Sequence, residues 1–171
     1  MNTVIKFAKV HPDAKIPSKR DEDMGFDIYA CFDEDYIMIY PHETRLIPTG
    51  IASACDSDYG IVLKERGSTG SKGIAIRCGI IDSGFRNEWF VCLTNTTDTI
   101  LFISKLSEDD LSRKTVDYWC YEDPLIYPYE KAIAQALVIP VPKVKVEEIG
   151  YEELKDIPSE RGMGQLGSSN K

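Results

Sequence analysis

Short apolar runs separated by turn-forming residues dominate the chain. Val4, Ile5 and Phe7 give a first alternation within residues 3–10, and residues 24–30, 36–40, 44–47, 59–63 and 89–94 repeat the strand-like pattern. Pro41 closes one of these runs and Pro48-Thr49-Gly50 another, as turn residues should. Between Ile74-Ala75-Ile76 and Trp89-Phe90-Val91 lies Gly79-Ile80-Ile81-Asp82-Ser83-Gly84-Phe85-Arg86-Asn87-Glu88. That stretch predicts a hairpin with Asp82 at its bend, where backbone groups and one carboxylate face a bound molecule. Read alone, it fits an ordinary surface turn, in which aspartate is a favoured residue, better than a catalytic bend. Residues 131–141 fit a helix or a strand, with Pro140 and Pro142 favouring a strand end; residues 144–149 alternate, and 152–157 suggest one helical turn. The sum predicts an all-β domain of the barrel or jelly-roll kind with little helix.

Two stretches depart from this texture. Residues 65–73 place glycines and serines between Arg66 and Lys72, a composition that builds an anion-binding turn or a flexible connection, without the spacing of a P-loop. Residues 99–130 carry acidic Glu108-Asp109-Asp110 and aromatic Tyr118, Trp119 and Tyr121, and read as an insertion between strands. Ser107 caps a short predicted helix over 108–114, with the acids in its first turn.

Composition narrows the function classes. A chain of 171 residues suits one domain, and the net charge of -8 disfavours nucleic-acid backbones and anionic membranes, so an anionic ligand needs a local cluster of cations and N–H groups. No apolar run approaches the length of a membrane span, and residues 1–10 lack a signal-peptide pattern, so a cytoplasmic protein is expected. Five cysteines without a Cys-x-x-Cys pair, and only two histidines, argue for free thiols rather than zinc. His11 and His42 are expected on the solvated surface.

In order along the chain, five segments resemble the five motifs of the trimeric dUTP pyrophosphatases (dUTPases). These are Met24-Gly25-Phe26-Asp27-Ile28-Tyr29-Ala30, the loop Arg66-Gly67-Ser68-Thr69-Gly70-Ser71-Lys72, the Asp82 hairpin, Ile133-Ala134-Gln135-Ala136-Leu137, and Arg161-Gly162-Met163-Gly164-Gln165-Leu166-Gly167-Ser168-Ser169. Five motifs in the right order are far more specific than any one, and they span the chain except for about residues 99–130. The resemblance implies a jelly-roll-like distorted barrel, assembled as a homotrimer with active sites shared between subunits. It implies that Asp82 activates the water that attacks the α-phosphorus of dUTP, giving dUMP and pyrophosphate. Such hydrolysis keeps uracil out of DNA and supplies dUMP for dTMP synthesis. Main-chain groups around Gly79 and Ile81 would read uracil, and Phe85 would pack on the deoxyribose. Arg66, Gly67 and Ser68 would hold the phosphates. Magnesium would ride on the triphosphate, with Asp27 and Gln135 reaching it through water only, and Gln135 would also meet the substrate. A tail over about 159–171, with Arg161, Leu166, Gly167 and Ser168, would close over the nucleotide.

Some positions depart from the family's pattern. Gly67 stands where a serine is usual, Leu166 replaces a phenylalanine that stacks on uracil, Gln165 replaces a glycine, and Ala132 stands where an arginine is common, with Lys131 beside it. Related dCTP deaminases place a glutamate where this chain has Cys92, which disfavours deamination. A third reading keeps the fold as a regulatory module, with the aromatic and acidic insertion as the surface for a protein partner. Some phage-encoded dUTPases carry an insertion here.

Overall fold

The computed structural model of the chain describes residues 4–116 and 123–164. Its strands are β1 (Lys6–Lys9), β2 (Phe26–Ile28), β3 (Tyr36–Ile39), β4 (Thr44–Pro48), β5 (Ile51–Ala54) and β6 (Tyr59–Lys64). After the helical turn α1 (Gly67–Gly70) come β7 (Ile74–Arg77), β8 (Ile80–Ile81), β9 (Phe90–Asn95) and β10 (Leu101–Ser104). Helix α2 (Glu108–Lys114) leads to β11 (Leu125–Pro128) and β12 (Ala134–Pro140), and α3 (Tyr151–Asp156) follows.

These strands form four small sheets, ordered β1-β5, β11-β10-β3, β2-β12-β6-β8 and β4-β9-β7. The fold is mostly β and jelly-roll-like, as the alternating pattern predicts, and no sheet closes into a continuous barrel among the described residues. Alternation decides the inner faces: Ile61 and Leu63 of β6 are buried while Tyr59 and Val62 are half-covered, and the same rhythm runs through β3. β9 and β10 are buried along nearly their whole length, so continuous apolar runs replace alternation there. The core gathers Ile28, Ile39, Ile47, Leu93, Leu101 and Tyr127 around Trp89, whose ring meets Phe7 edge-on at 5.5 Å. Asn95, fully buried, donates to the carbonyls of Ile39, Tyr40 and Thr99 and accepts from Thr97, so its amide costs little to bury.

The predicted hairpin forms over a longer reach than its sequence suggests. β7 and β9 do fold back on each other, with Ile74 opposite Asn95 and Arg77 opposite Cys92. The chain between them is not a tight turn, because Ile80 and Ile81 leave that sheet to pair with Val62 and Ile61 of β6. β5 has weak β character in its Ala52-Ser53-Ala54 sequence, yet it pairs along β1 from Lys9↔Ile51 to Lys6↔Ala54. Within residues 99–130, β10 pairs antiparallel with β3 and parallel with β11, so both ends of this segment belong to the body. The parallel pair needs a crossover, and α2 lies in it. Ser107 caps α2 by accepting from the Asp110 amide, and Lys114 of its last turn pairs with Asp35. Tyr118, Trp119 and Tyr121 lie outside the described residues, as do Leu166, Gly167 and Ser168.

By its contacts the chain divides into two compact units, Met1–Val141 and Pro142–Lys171. In the second, 144–149 pair with no strand among the described residues, and α3 is an exposed helix with Glu152 and Glu153 in its first turn and Lys155 in its last. Arg161 and Gly162 form a turn there, with Arg161 Nε donating to the Gly164 carbonyl at 3.3 Å. Among the described residues, no helix is long and apolar enough to cross a membrane.

Candidate functional site

Three segments far apart in sequence meet in one polar cleft of ≈ 500 Å³, among them Asp27, Arg66, Gly67, Ser68 and Gln135. Strand pairing brings them together. Asp27 of β2 lies opposite Gln135 of β12, and Gln135 lies opposite Lys64, two residues before Arg66. The Arg66 guanidinium grips Asp27 at two points, Nε to Oδ1 at 2.9 Å and Nη2 to Oδ2 at 3.4 Å, and also donates to the Ser68 hydroxyl at 3.3 Å. Both partners of that pair are about one-third exposed, so the arginine stays reachable from the cleft. Arg66 N–H donates to Thr69 Oγ1 at 3.0 Å and the buried Thr69 hydroxyl returns to the Arg66 carbonyl, which sets the turn α1. The first amides of such a turn have no intrahelical partner. A Cβ built on Gly67 meets nothing within 4 Å, so the cleft is open beside those amides.

Gln135 is fixed from behind. Its Nε2 donates to the Glu65 carbonyl at 2.7 Å, and its Oε1 comes so close to Gly25 that a Cβ there would stand 2.6 Å away. Glu65 in turn accepts from the Ile76 amide at 2.8 Å and from Lys64. Burial pushes the Glu65 carboxyl up, but those hydrogen bonds and its own amide outweigh that and hold it below the usual carboxylate range. Ala132, at the position of the missing arginine, is buried and offers its carbonyl to Tyr127 Oη at 2.7 Å and, longer, to Arg66 Nη1 at 3.5 Å; Lys131 is exposed.

Asp27 and the Gln135 carbonyl oxygen are the hard oxygen donors that magnesium prefers. Among the described residues no three carboxylate, histidine or cysteine groups gather into a metal cage.

Asp82 is elsewhere. It follows β8, which is the opposite edge of the four-stranded sheet from β2. Three strand spacings separate those edges, about 14 Å, and the register offset adds roughly 13 Å along the strands. The Asp82 carboxylate is exposed, and among the described residues it has no hydrogen-bond or ion-pair partner. Its backbone is well held: the Leu63 amide donates to Gly79 at 2.6 Å, the Phe85 amide donates to Asp82 at 3.0 Å, and Arg86 Nη1 donates to the carbonyls of Ser53, Ser83 and Phe85. A Cβ on Gly79 would lie 2.4 Å from the Leu63 carbonyl oxygen, so only glycine allows this approach. Beside Asp82 is a smaller hollow of ≈ 280 Å³ between Tyr59, Ile61, Val62, Ile80 and Ile139. Because β8 is a sheet edge, half of its main-chain groups point away from β6. Phe85 is 38% exposed next to this hollow's carboxylate.

The structure therefore brings together Asp27, Arg66, Gly67, Ser68 and Gln135, and separately Gly79, Ile81, Asp82 and Phe85. Sequence reasoning missed Arg20, Glu22 and Asp23, which also line the larger cleft, and the clamp made by Arg86. The spacing of Arg20 and Asp23, three apart in a polar run, was the available signal for the first group. Neither histidine is free: His11 faces Asp33 at 3.3 Å and His42 faces Asp98 at 2.9 Å. Cys92 is buried, and burial, then the neighbouring Cys78 thiol, pushes its own thiol up, so it has no acid–base character near neutrality.

Comparison with known proteins converges on one family. The sequence matches the dUTPase family over residues 13–107. It is 32% identical to a deoxyuridine 5'-triphosphate nucleotidohydrolase of Nautilia profundicola, covering 98% of this chain and 99% of the relative. Among solved structures, it is similar to the dUTPase of Staphylococcus bacteriophage 80alpha with dUPNHPP, at a TM-score of 0.71 and 22% identity over 98% of this chain and 99% of that one. It is also similar to a variant dUTPase from phage phi11 of S. aureus, described for its coordination of a structural Mg(II) ion, at a TM-score of 0.63 and 17% identity over 85% and 96% of the two chains.

Proposed function

Because the chain belongs to the dUTPase family, we propose that it hydrolyses dUTP to dUMP and pyrophosphate, at a site assembled from more than one copy of itself. The observation that carries this reading is the convergence of Asp27, Arg66, Ser68 and Gln135 in one polar cleft of a chain whose net charge is -8. A triphosphate needs such a local exception to the average field. Arg66 supplies the fixed cation, the opening amides of α1 and the Ser68 hydroxyl add donors, and the space beside Gly67 leaves room for phosphate oxygens. Asp27 and Gln135 fit magnesium through coordinated water, and the metal, when bound with the nucleotide, neutralises phosphate charge.

The hollow beside Asp82 takes the base. Its apolar walls suit a flat ring, and the free edge of β8 offers main-chain donors and acceptors to the uracil rim. Phe85 packs on the deoxyribose and leaves no space for a 2′-hydroxyl. Asp82 accepts a proton from water as the water oxygen bonds to the α-phosphorus; the α–β bridging bond breaks, and its electron pair leaves with pyrophosphate. Fixed general-base assistance of this kind is worth about two to four powers of ten.

This chemistry requires Asp82 beside the phosphates held by Arg66. One chain holds them on the order of 20 Å apart by strand geometry, so the hairpin of a neighbouring copy completes each cleft, and a closed ring of three copies gives three equivalent sites. Pyrophosphate release from dUTP, dTTP, dCTP and UTP, with magnesium and with chelator, tests the reading: dUTP alone should be turned over, and only with the metal. Ammonia release from dCTP, or equal rates on UTP and dUTP, would contradict it.

A further inference from the structure

The loop ahead of β2 reaches into the phosphate cleft with a cation that none of the five motifs contains. Arg20, Glu22 and Asp23 line the same cleft as Arg66 and Ser68. Of the described side chains lining it, Arg20 and Arg66 are the two cations, against Glu22, Asp23 and Asp27. Arg66 stays reachable, but Asp27, with which it shares two contacts, balances part of its charge. A triphosphate entering here meets three carboxylates, so a second cation would add to what Arg66, the α1 amides and a nucleotide-borne metal supply, the more so because Gly67 brings no hydroxyl.

Arg20 is built to provide it. The base of its loop is firmly held. Lys19 lies 5.6 Å over the Phe26 ring and donates to the carbonyls of Arg20 and Asp21; the Asp23 amide donates to the Arg20 carbonyl at 3.1 Å, and the Arg20 amide to Asp23 Oδ2 at 3.3 Å. The guanidinium itself is parked on Asp23 by a fork of two bonds, 2.9 and 2.8 Å. The two ends differ in cover, since the Arg20 side chain is 86% exposed and that of Asp23 36%. An ion pair in that position is solvent-screened and readily exchanged, whereas the same fork matches two phosphate oxygens with a full charge on each partner.

We propose that Arg20 is a phosphate-gripping residue, whose guanidinium leaves Asp23 and closes on the outer phosphates of the nucleotide held by Arg66 and Ser68. The inference rests on the dUTPase reading above and deepens it, since it makes affinity depend on phosphate count as well as on the base. Asp23 then acts as the rest position, keeping the arginine extended over the cleft until phosphate displaces it.

The test compares wild type, Arg20→Ala, Arg20→Lys and Asp23→Asn in binding an α,β-imido analogue of dUTP and in binding dUMP, alongside KM and kcat for dUTP. Arg20→Ala should weaken the triphosphate analogue about ten- to a hundred-fold and raise KM in step, with dUMP binding unchanged. Arg20→Lys should recover part of the loss, because the charge remains without the fork. Asp23→Asn should tighten the analogue several-fold by removing the competing carboxylate. Equal losses for dUMP and analogue, or no loss for either, would overturn the assignment. Binding is measured without turnover, so a wild type that releases no pyrophosphate would overturn the hydrolysis alone, while the Arg20 comparison would still be decided.

Discussion

The phosphate cleft and the Asp82 bend are held by opposite means. In the cleft the side chains themselves are locked: Arg66 on Asp27, Gln135 on the Glu65 carbonyl, Glu65 on the Ile76 amide. At the bend the backbone is locked, through Gly79, Leu63 and Arg86, and the Asp82 carboxylate is left exposed and unengaged by described residues. A preorganised cation network suits a task of holding charge, and an unengaged carboxylate suits a task of taking a proton from water. The two arrangements are complementary, yet they occupy opposite edges of one sheet. On the function proposed above, a chain folded this way keeps each half intact alone and would gain the reaction only when two copies meet.

Breaking the bend's chemistry should give the largest effect. Asp82→Asn should lower kcat for dUTP by about 10²- to 10⁴-fold, with KM and Tm nearly unchanged, because no described group depends on that carboxylate for a bond. Steady-state kinetics with a thermal melt checks both halves of the statement. A large fall in Tm would mean that Asp82 is a structural turn residue.

A matched pair of glycine substitutions separates backbone locking from side-chain locking. Gly79→Ala places a methyl 2.4 Å from the Leu63 carbonyl oxygen, a backbone atom that cannot step aside without breaking the β6–β8 pairing. It should cost about 1–3 kcal/mol of stability and activity with it, measured by denaturant titration. Gly25→Ala meets chiefly the end of the Gln135 side chain, at 2.6 Å. That side chain can turn away, so stability should fall less while kcat/KM drops through the displaced amide.

The smallest effect concerns the rivet behind the cleft. The Glu65 carboxyl is held below its ordinary value, so its contribution is present above the unfolded-state value of 4.5 and is lost as pH falls through the lowered folded value. Glu65→Gln should therefore melt slightly below wild type at pH 7, with the gap closing as the pH is taken down through the lowered folded value, below 4.5. Scanning calorimetry across that range reads it directly.

These contrasts also mark what was legible in the sequence. Turn residues and alternation gave most strands, and the Ser107 cap foretold α2; of the residues that the motifs single out, the fold gathers Asp27, Arg66 and Gln135 in one cleft and sets Asp82 apart. What could not be read was pairing between distant segments. Ile80-Ile81 continues an apolar run toward β9, but its partner is β6, in another sheet, and only that choice carries Asp82 away from the cleft. The parallel pairing of β11 with β10 is likewise invisible, since a crossover leaves no mark on either strand. Ala52-Ser53-Ala54 shows little β preference and becomes a strand because β1 lies alongside it. Arg20 lay in a polar run with no apolar rhythm, and its proposed role depends on a cleft that also draws on Asp27, Arg66 and, much further along the chain, Gln135.

The central claim, that each site joins one copy's cleft to another copy's hairpin, is tested by mixing two inactive variants. Asp82→Asn keeps a sound cleft and Arg66→Ala keeps a sound hairpin. Refolded together in equal amounts, they form mixed rings in which about one site in four joins the two intact halves. The account predicts recovery of about a quarter of wild-type dUTP turnover from two proteins that are each nearly inert. A mixture no more active than its separate parts would show that the cleft and the carboxylate must come from the same chain.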